Sequence, residues 1–205
     1  MKCLVGLITS ISIIIFSNLL FHQGYSQFGM PGTPGAPGTP DMQIFTNNAG
    51  KVGIMVPKTW VGDWDKVNHK QLFYDPQNND LIISLGVYTP LANTPFPSSD
   101  VSPQDVADKI LKDSPTPLNV LDNNYNPNLN EQTISYTFDR DGTKYFEHRI
   151  YRISNGILYE FVATVPTSAV KGYADLLSQI SSSWLSGDQY DEVMTNMQTM
   201  ENLQH

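Results

Sequence analysis

Past Cys3 the chain has no cysteine at all. Disulfide staples, thiol catalysis and Cys-ligated zinc are therefore excluded for everything that follows, and stability must come from a hydrophobic core. Cys3 itself has no run of small residues before it, so it does not read as a lipid-attachment cysteine. Cationic side chains are also scarce. Lys and Arg total 12 against 20 Asp and Glu, a formal net charge of -8, and they form no cluster. Such a chain repels phosphate backbones, which argues against a nucleic-acid partner. No Asn-X-Ser/Thr acceptor occurs, no serine sits in a Gly-X-Ser-X-Gly elbow, and no glycine-rich loop could cradle a phosphate. Histidines at metal-ligand spacing and paired catalytic carboxylates are missing too. These absences lead us to expect no cofactor and no enzyme activity.

What is present begins with an address. Lys2 precedes an uncharged apolar run from Cys3 to Phe21, followed by Gly24, Tyr25 and Ser26. This is the charge, apolar-core and small-residue order of a secretory signal, with cleavage expected after Ser26. The run is also just long enough to span a bilayer, so residues 1–26 read as a signal peptide or a retained signal anchor. Either reading places the rest outside the cytoplasmic membrane, secreted or held on its outer face.

Residues 27–43 form a Gly/Pro-rich stalk. Four Gly-X-Pro triplets run in register from Gly29 to Pro40. Glycine at every third position is the collagen spacing, but four triplets are few for a triple helix. A polyproline-II stalk is the simpler reading, and its twelve residues at about 3.1 Å each would reach roughly 37 Å.

From Ile44 the pattern becomes globular. Val52, Ile54 and Val56 alternate up to Pro57, Gln71 to Tyr74 makes a second short strand, and Leu81 to Tyr88 a third. Thr89 to Ser99 is a proline-bearing loop. Ser102, Pro103 and Asp105 spell a helix start with a capping-box spacing, and Val106, Ala107, Ile110 and Leu111 supply its apolar stripe. Asp122 to Asn130, rich in Asn and Pro, reads as a surface loop. Ile134, Tyr136 and Phe138 then alternate, the 139–142 segment turns, and Tyr145 to Ile153 returns. Asn155-Gly156 makes a second tight hairpin, continued by Ile157 to Val165. Thr167 is placed to cap a helix whose apolar face runs from Val170 to Trp184. Hairpins with two separated helices argue an α+β fold. Residues 187–205 read as a Met-rich amphipathic tail, expected to be dispensable for folding of the 44–186 domain.

The run from Asn48 to Trp60 (NAGKVGIMVPKTW) resembles the opening of PsbP-like domains. The Phe73 to Pro76 strand end, the Asn155 to Tyr159 hairpin and the closing helix through Trp184 fit the same family. The resemblance implies an α/β/α sandwich, a central antiparallel sheet flanked by helices. It also implies an accessory, assembly or ligand-binding role outside a membrane, without a catalytic centre. The partner so implied is an extracytoplasmic or membrane protein complex, or a small ligand. The Gly-X-Pro stalk and the Met-bearing tail depart from that family's pattern.

Three sets of side chains are candidates for chemistry. Met194, Met197 and Met200 place thioethers three residues apart, with His205 beyond, a donor set that suits Cu(I). Methionines at that spacing also serve as pliable packing or partner-binding groups. Asp63, Asp65 and His69, between Trp60 and Trp64, could hold a hard or borderline cation, or simply form a solvated loop anchored by the two tryptophans. His148, between Phe146 and Ile150 on a strand, reads as a core histidine bonded to a neighbour, the alternative being a hydrolase site that His148 or His69 forms with a carboxylate and a hydroxyl only in the fold. The 139–142 segment lacks the ligands of a calcium loop and reads as a hairpin turn.

Overall fold

The computed structural model describes residues Ser26–Phe28, 40–88 and 101–202, which hold eleven strands and three helices. The apolar segment with Cys3, residues 29–39 of the stalk, the proline loop at 89–100, Leu203 and His205 lie outside the described residues. Among the described residues no helix is long and apolar enough to cross a membrane.

A seven-stranded antiparallel sheet is the backbone of the fold. Its first half is a meander of β4 (Val61–Asp65), β5 (Lys70–Asp75) and β6 (Asn78–Tyr88). Its second half is a meander of β7 (Asn119–Asn126), β8 (Glu131–Arg140), β9 (Thr143–Ser154) and β10 (Ile157–Pro166). The halves join where β6 pairs with β10, giving the order β4-β5-β6-β10-β9-β8-β7. The link between the halves contains α1 (Pro103–Asp113). A smaller antiparallel sheet has the order β1 (Ser26–Phe28), β2 (Met42–Asn47), β3 (Val52–Pro57) and β11 (Leu185–Ser186). Phe28 lies opposite Ile44, so the chain just before the Gly-X-Pro segment returns to the edge of this sheet.

Alternation along the strands sorts the side chains onto two faces. On one face Leu81, Ile83, Leu85 and Val87 of β6 meet Tyr159, Phe161, Ala163 and Val165 of β10. Val52, Ile54 and Val56 of β3 pack on them, with Ile180 of α2 (Val170–Ser182) and Trp184. On the opposite face Ile134 and Tyr136 of β8 and Tyr151 of β9 pack beneath Val106 and Ala107 of α1, with Ile110 and Leu111 alongside. Burying each such side chain is worth roughly 1.5–3 kcal/mol. The α+β class therefore stands. The expected helix layer on both faces holds only in part. α1 covers one face, whereas on the other much of the cover is the smaller sheet, with α2 beside it.

Several local expectations are met for the reasons that motivated them. Ser102 caps α1: its hydroxyl accepts the Asp105 amide while the Asp105 carboxylate accepts the Ser102 amide. Asp141 and Gly142, and again Asn155 and Gly156, take positive φ at both central turn positions. That is the twist a two-residue hairpin requires.

Others need correction. The 122–130 segment is largely strand: β7 runs to Asn126 and pairs with β8 from Asn119 to Asn126. Its Asn and Asp residues have poor strand propensity, but β8 supplies a ladder, and polar side chains suit an edge exposed on both faces. Asp63, Trp64 and Asp65 are likewise in a strand, the opposite edge β4, rather than in a loop. Thr167 does not cap α2, which starts after Ala169 without a side-chain cap. Its hydroxyl donates to the Lys144 carbonyl instead.

The tail is the largest correction. β11 pairs Leu185 with Gly53 and Ser186 with Val52, and α3 (Asp188–Asn202) follows directly. Tyr190 is only 3% exposed and donates its hydroxyl to Asn48. Lys51 meets Asp191 at 2.5 Å, and Asn155 donates to Asp188 at 2.7 Å. The start of α3 is therefore a docked part of the core layer. Gly187 makes the corner at φ +55, and a Cβ there would come within 2.5 Å of Ser154 Cβ. Left-handed strain and this clash together predict that Gly187→Ala costs about 2–3 kcal/mol in chemical denaturation. A change below about 0.5 kcal/mol, the range of an ordinary surface substitution, would contradict that packing.

Candidate functional site

The two helices that close the chain do not cover the whole sheet face beneath them. A groove of about 570 Å³ opens between α2, α3 and the sheet. Its floor comes from β9 and β8. Ile150 continues the apolar alternation of Phe146, and the next position on that face is Arg152, directly opposite Glu131. Ser181, Ser182 and Trp184 form one wall, and Gln189, Glu192 and Val193 of α3 the other.

Arg152 organises the floor. Its side chain is only 7% exposed, a position that an unpaired charge could not hold. One terminal nitrogen donates to Ser186 Oγ at 2.9 Å and to Gln189 Oε1, the other to Glu131. The guanidinium lies 4.8 Å from the centre of the Trp184 ring, a cation–π contact. Arg152 thus ties β8, β9, β11 and α3 together. Two donors of this cluster have no hydrogen-bond partner although they are buried: Arg152 Nε and Trp184 Nε1. Leaving such a group unpaired costs about 1–3 kcal/mol. Both belong to residues that line the groove, and an acceptor-bearing ligand that displaces the atoms covering them would relieve both.

A second buried polar cluster sits on the opposite face of the sheet. Glu160 of β10 accepts from Lys70 at 2.6 Å, from Tyr88 at 2.7 Å and from Arg149 at 3.0 Å. Arg149 also meets Glu147, which accepts from Tyr136 and from Thr164. Burial pushes the Glu160 carboxyl up, but Lys70, Arg149 and the Tyr88 hydroxyl outweigh it and hold it down to about 2. Every charge here has a partner, so this cluster reads as internal structure.

The residues singled out in the sequence are placed as follows. Asp63 and Asp65 sit on one side of β4, and Asp65 is committed to the turn it begins, accepting the Val67 and Asn68 amides. His69 closes that turn at positive φ, its ring 6.4 Å from Trp64 and its Nδ1 buried without a partner. Among the described residues no three His, Cys, Asp or Glu side chains come together to hold a metal. Met194 and Met197 are half-buried along α3, and Met200 is 57% exposed. His148 has Nδ1 2.9 Å from Ser135 Oγ and stacks edge-on to Phe161. Burial lowers its pKa below the ordinary histidine value, against the opposing pull of Asp122 and Glu131. Ser135 is buried in mid-strand, and neither residue lines the groove.

The sequence marks Trp184 and Ile150 only as packing residues, and the other groove residues not at all as a site. The usable signal was a charge in the wrong phase: Phe146, His148 and Ile150 mark a core-facing alternation whose next member is Arg152. An arginine in that register must find buried partners.

Comparison with known proteins shows the fold. No family model matches the chain, and no curated protein does. Among solved structures it is similar to cyanobacterial PsbP from Synechocystis, at 15% identity and TM-score 0.54, covering 77% of this chain and 99% of that one. It is also similar to the Ran-binding protein Mog1p of Saccharomyces cerevisiae, at 9% identity and TM-score 0.51, covering 73% and 97%. At these identities the likeness is one of architecture. It agrees with the opening strand, the Asn155-Gly156 hairpin and the closing helix in one respect: the protein has a PsbP-like fold.

Proposed function

We propose that this protein is a non-catalytic accessory module that works outside the cytoplasmic membrane and takes a ligand or partner segment in the groove above Arg152. The observation that carries the reading is the pair of buried, unpartnered donors, Arg152 Nε and Trp184 Nε1, in residues lining a groove of about 570 Å³. The fold is compatible with a binding role, since one architectural neighbour is named a Ran-binding protein. Support for the location is the apolar N-terminal segment and the freedom from cysteine thereafter.

A photo-crosslinking residue at Ser182, which is exposed and lines the groove, tests the site. The control position is Val67, 86% exposed on the distant β4–β5 turn. In intact cells the Ser182 probe is expected to give discrete adducts that the Val67 probe does not. Equal labelling from both positions would sink the groove as a recognition site. Adducts made only with cytosolic components would sink the location.

A further inference from the structure

We infer that the groove receives a Lys- or Arg-bearing extended segment of a protein partner, a step that rests on the groove being a recognition site. Two needs of the groove converge on that chemistry. The buried N–H groups of Arg152 and Trp184 need acceptors, and a peptide main chain supplies carbonyls. The charge of the groove needs a cation. Arg152 is neutralised by Glu131 through a direct ion pair, so Glu192, on an exposed position of the α3 wall, leaves the lining with a net negative charge. An anionic ligand would have to approach both carboxylates. Leu129, Ile150 and Val193 provide apolar contact for the side chains of such a segment. The chain as a whole carries a net charge of -8, which speaks against a second copy as occupant and for a basic partner.

The groove therefore reads a main-chain carbonyl on its buried side and a cationic side chain at its rim. Both donors lie just beneath the groove surface, so a segment that opens the surface onto them moves their N–H signals, and this makes the inference measurable. The full chain, labelled with nitrogen-15, is titrated with the capped peptide acetyl-Leu-Lys-Leu-amide and, as charge control, acetyl-Leu-Glu-Leu-amide.

The expected result is a saturable shift of the Trp184 indole and Arg152 Nε–H resonances with the lysine peptide alone. Glu192→Lys should then weaken binding about tenfold, and raising the salt should weaken it several-fold. Glu192 is exposed and makes no structural contact on which the fold depends, so this variant tests charge and not folding. Equal shifts with the glutamate peptide, or no effect of Glu192→Lys, would overturn the basic-segment inference while leaving the groove as a ligand site. No shift with either peptide also overturns it. In that case discrete adducts from the Ser182 probe would still uphold the groove, and their absence would remove both readings.

Discussion

Removing residues 187–205 lowers the melting temperature by 10 °C or more. The sequence pattern suggests a free amphipathic tail, but the start of α3 is locked to the domain at several points. Tyr190 fills a buried site against Gly53, its ring 3.4 Å from where a Gly53 Cβ would lie, and bonds Asn48. Gly187 donates its amide to the Lys51 carbonyl, and Gln189 accepts from Arg152. Loss of a buried aromatic alone costs about 3–5 kcal/mol. A domain of this size loses about 2–4 °C per kcal/mol. Tyr190→Ala isolates the main contribution and should account for most of the drop. Differential scanning calorimetry on the truncated chain and on Tyr190→Ala checks this. A truncated chain that melts within 2 °C of the intact one would restore the dispensable tail.

The second large effect concerns Glu160. Replacing it with Gln keeps the shape but leaves Lys70 and Arg149, both mostly buried, without their shared carboxylate. Breaking one side of a buried ion pair costs about 3–5 kcal/mol. The same site gives the protein an acid limit. The Glu160 carboxyl titrates at about 2 in the fold against an ordinary 4.5. The folded state thus favours the ionised form. This stabilisation is fully present above the unfolded value of 4.5 and is lost as pH falls toward 2. Its size is on the order of 3 kcal/mol. Urea denaturation from pH 6 down to pH 2.5 should show wild-type stability falling by roughly that amount more than the Glu160→Gln variant does. Parallel curves for the two proteins would show that Glu160 is not the group responsible.

Much of the fold was legible because strong periodicity and turn chemistry agreed. Leu81, Ile83, Leu85 and Val87 could only line one face of a strand. Ser102 with Asp105, and Asn155 with Gly156, carry local geometry that needs no tertiary help. What stayed hidden was decided by neighbours. β7 and β4 are strands because β8 and β5 offer them ladders, not because Asn123, Asn124 or Asp63 prefer extended backbone. The docking of α3 depends on one aromatic, Tyr190, whose burial needs a pocket formed by residues about 140 positions earlier in the chain. The groove is hidden for the same reason. Glu131, Arg152 and Gln189 come from three separate elements and Trp184 from the connection between α2 and β11, and only their meeting makes a site. Methionine and aspartate drew notice by spacing, whereas a single in-phase arginine carried the more informative signal.

The seam between β6 and β10 has a consequence for how the chain comes into being. Its pairs, such as Leu85 with Phe161, join residues separated by about half of the domain. β8, β9 and β10 are contiguous and zip up through tight turns, and so does the β4 to β6 meander before them, but the outer edge of β6 has no partner until β10 arrives. As the chain is synthesised, Val52, Ile54 and Val56 precede Leu81, Ile83, Leu85 and Val87 and can begin to cover them, but the β6 edge stays open until Tyr159 through Val165 arrive. For that interval the first half is a sticky, half-made sheet. Its safe passage depends on how quickly the last hairpin arrives to seal it.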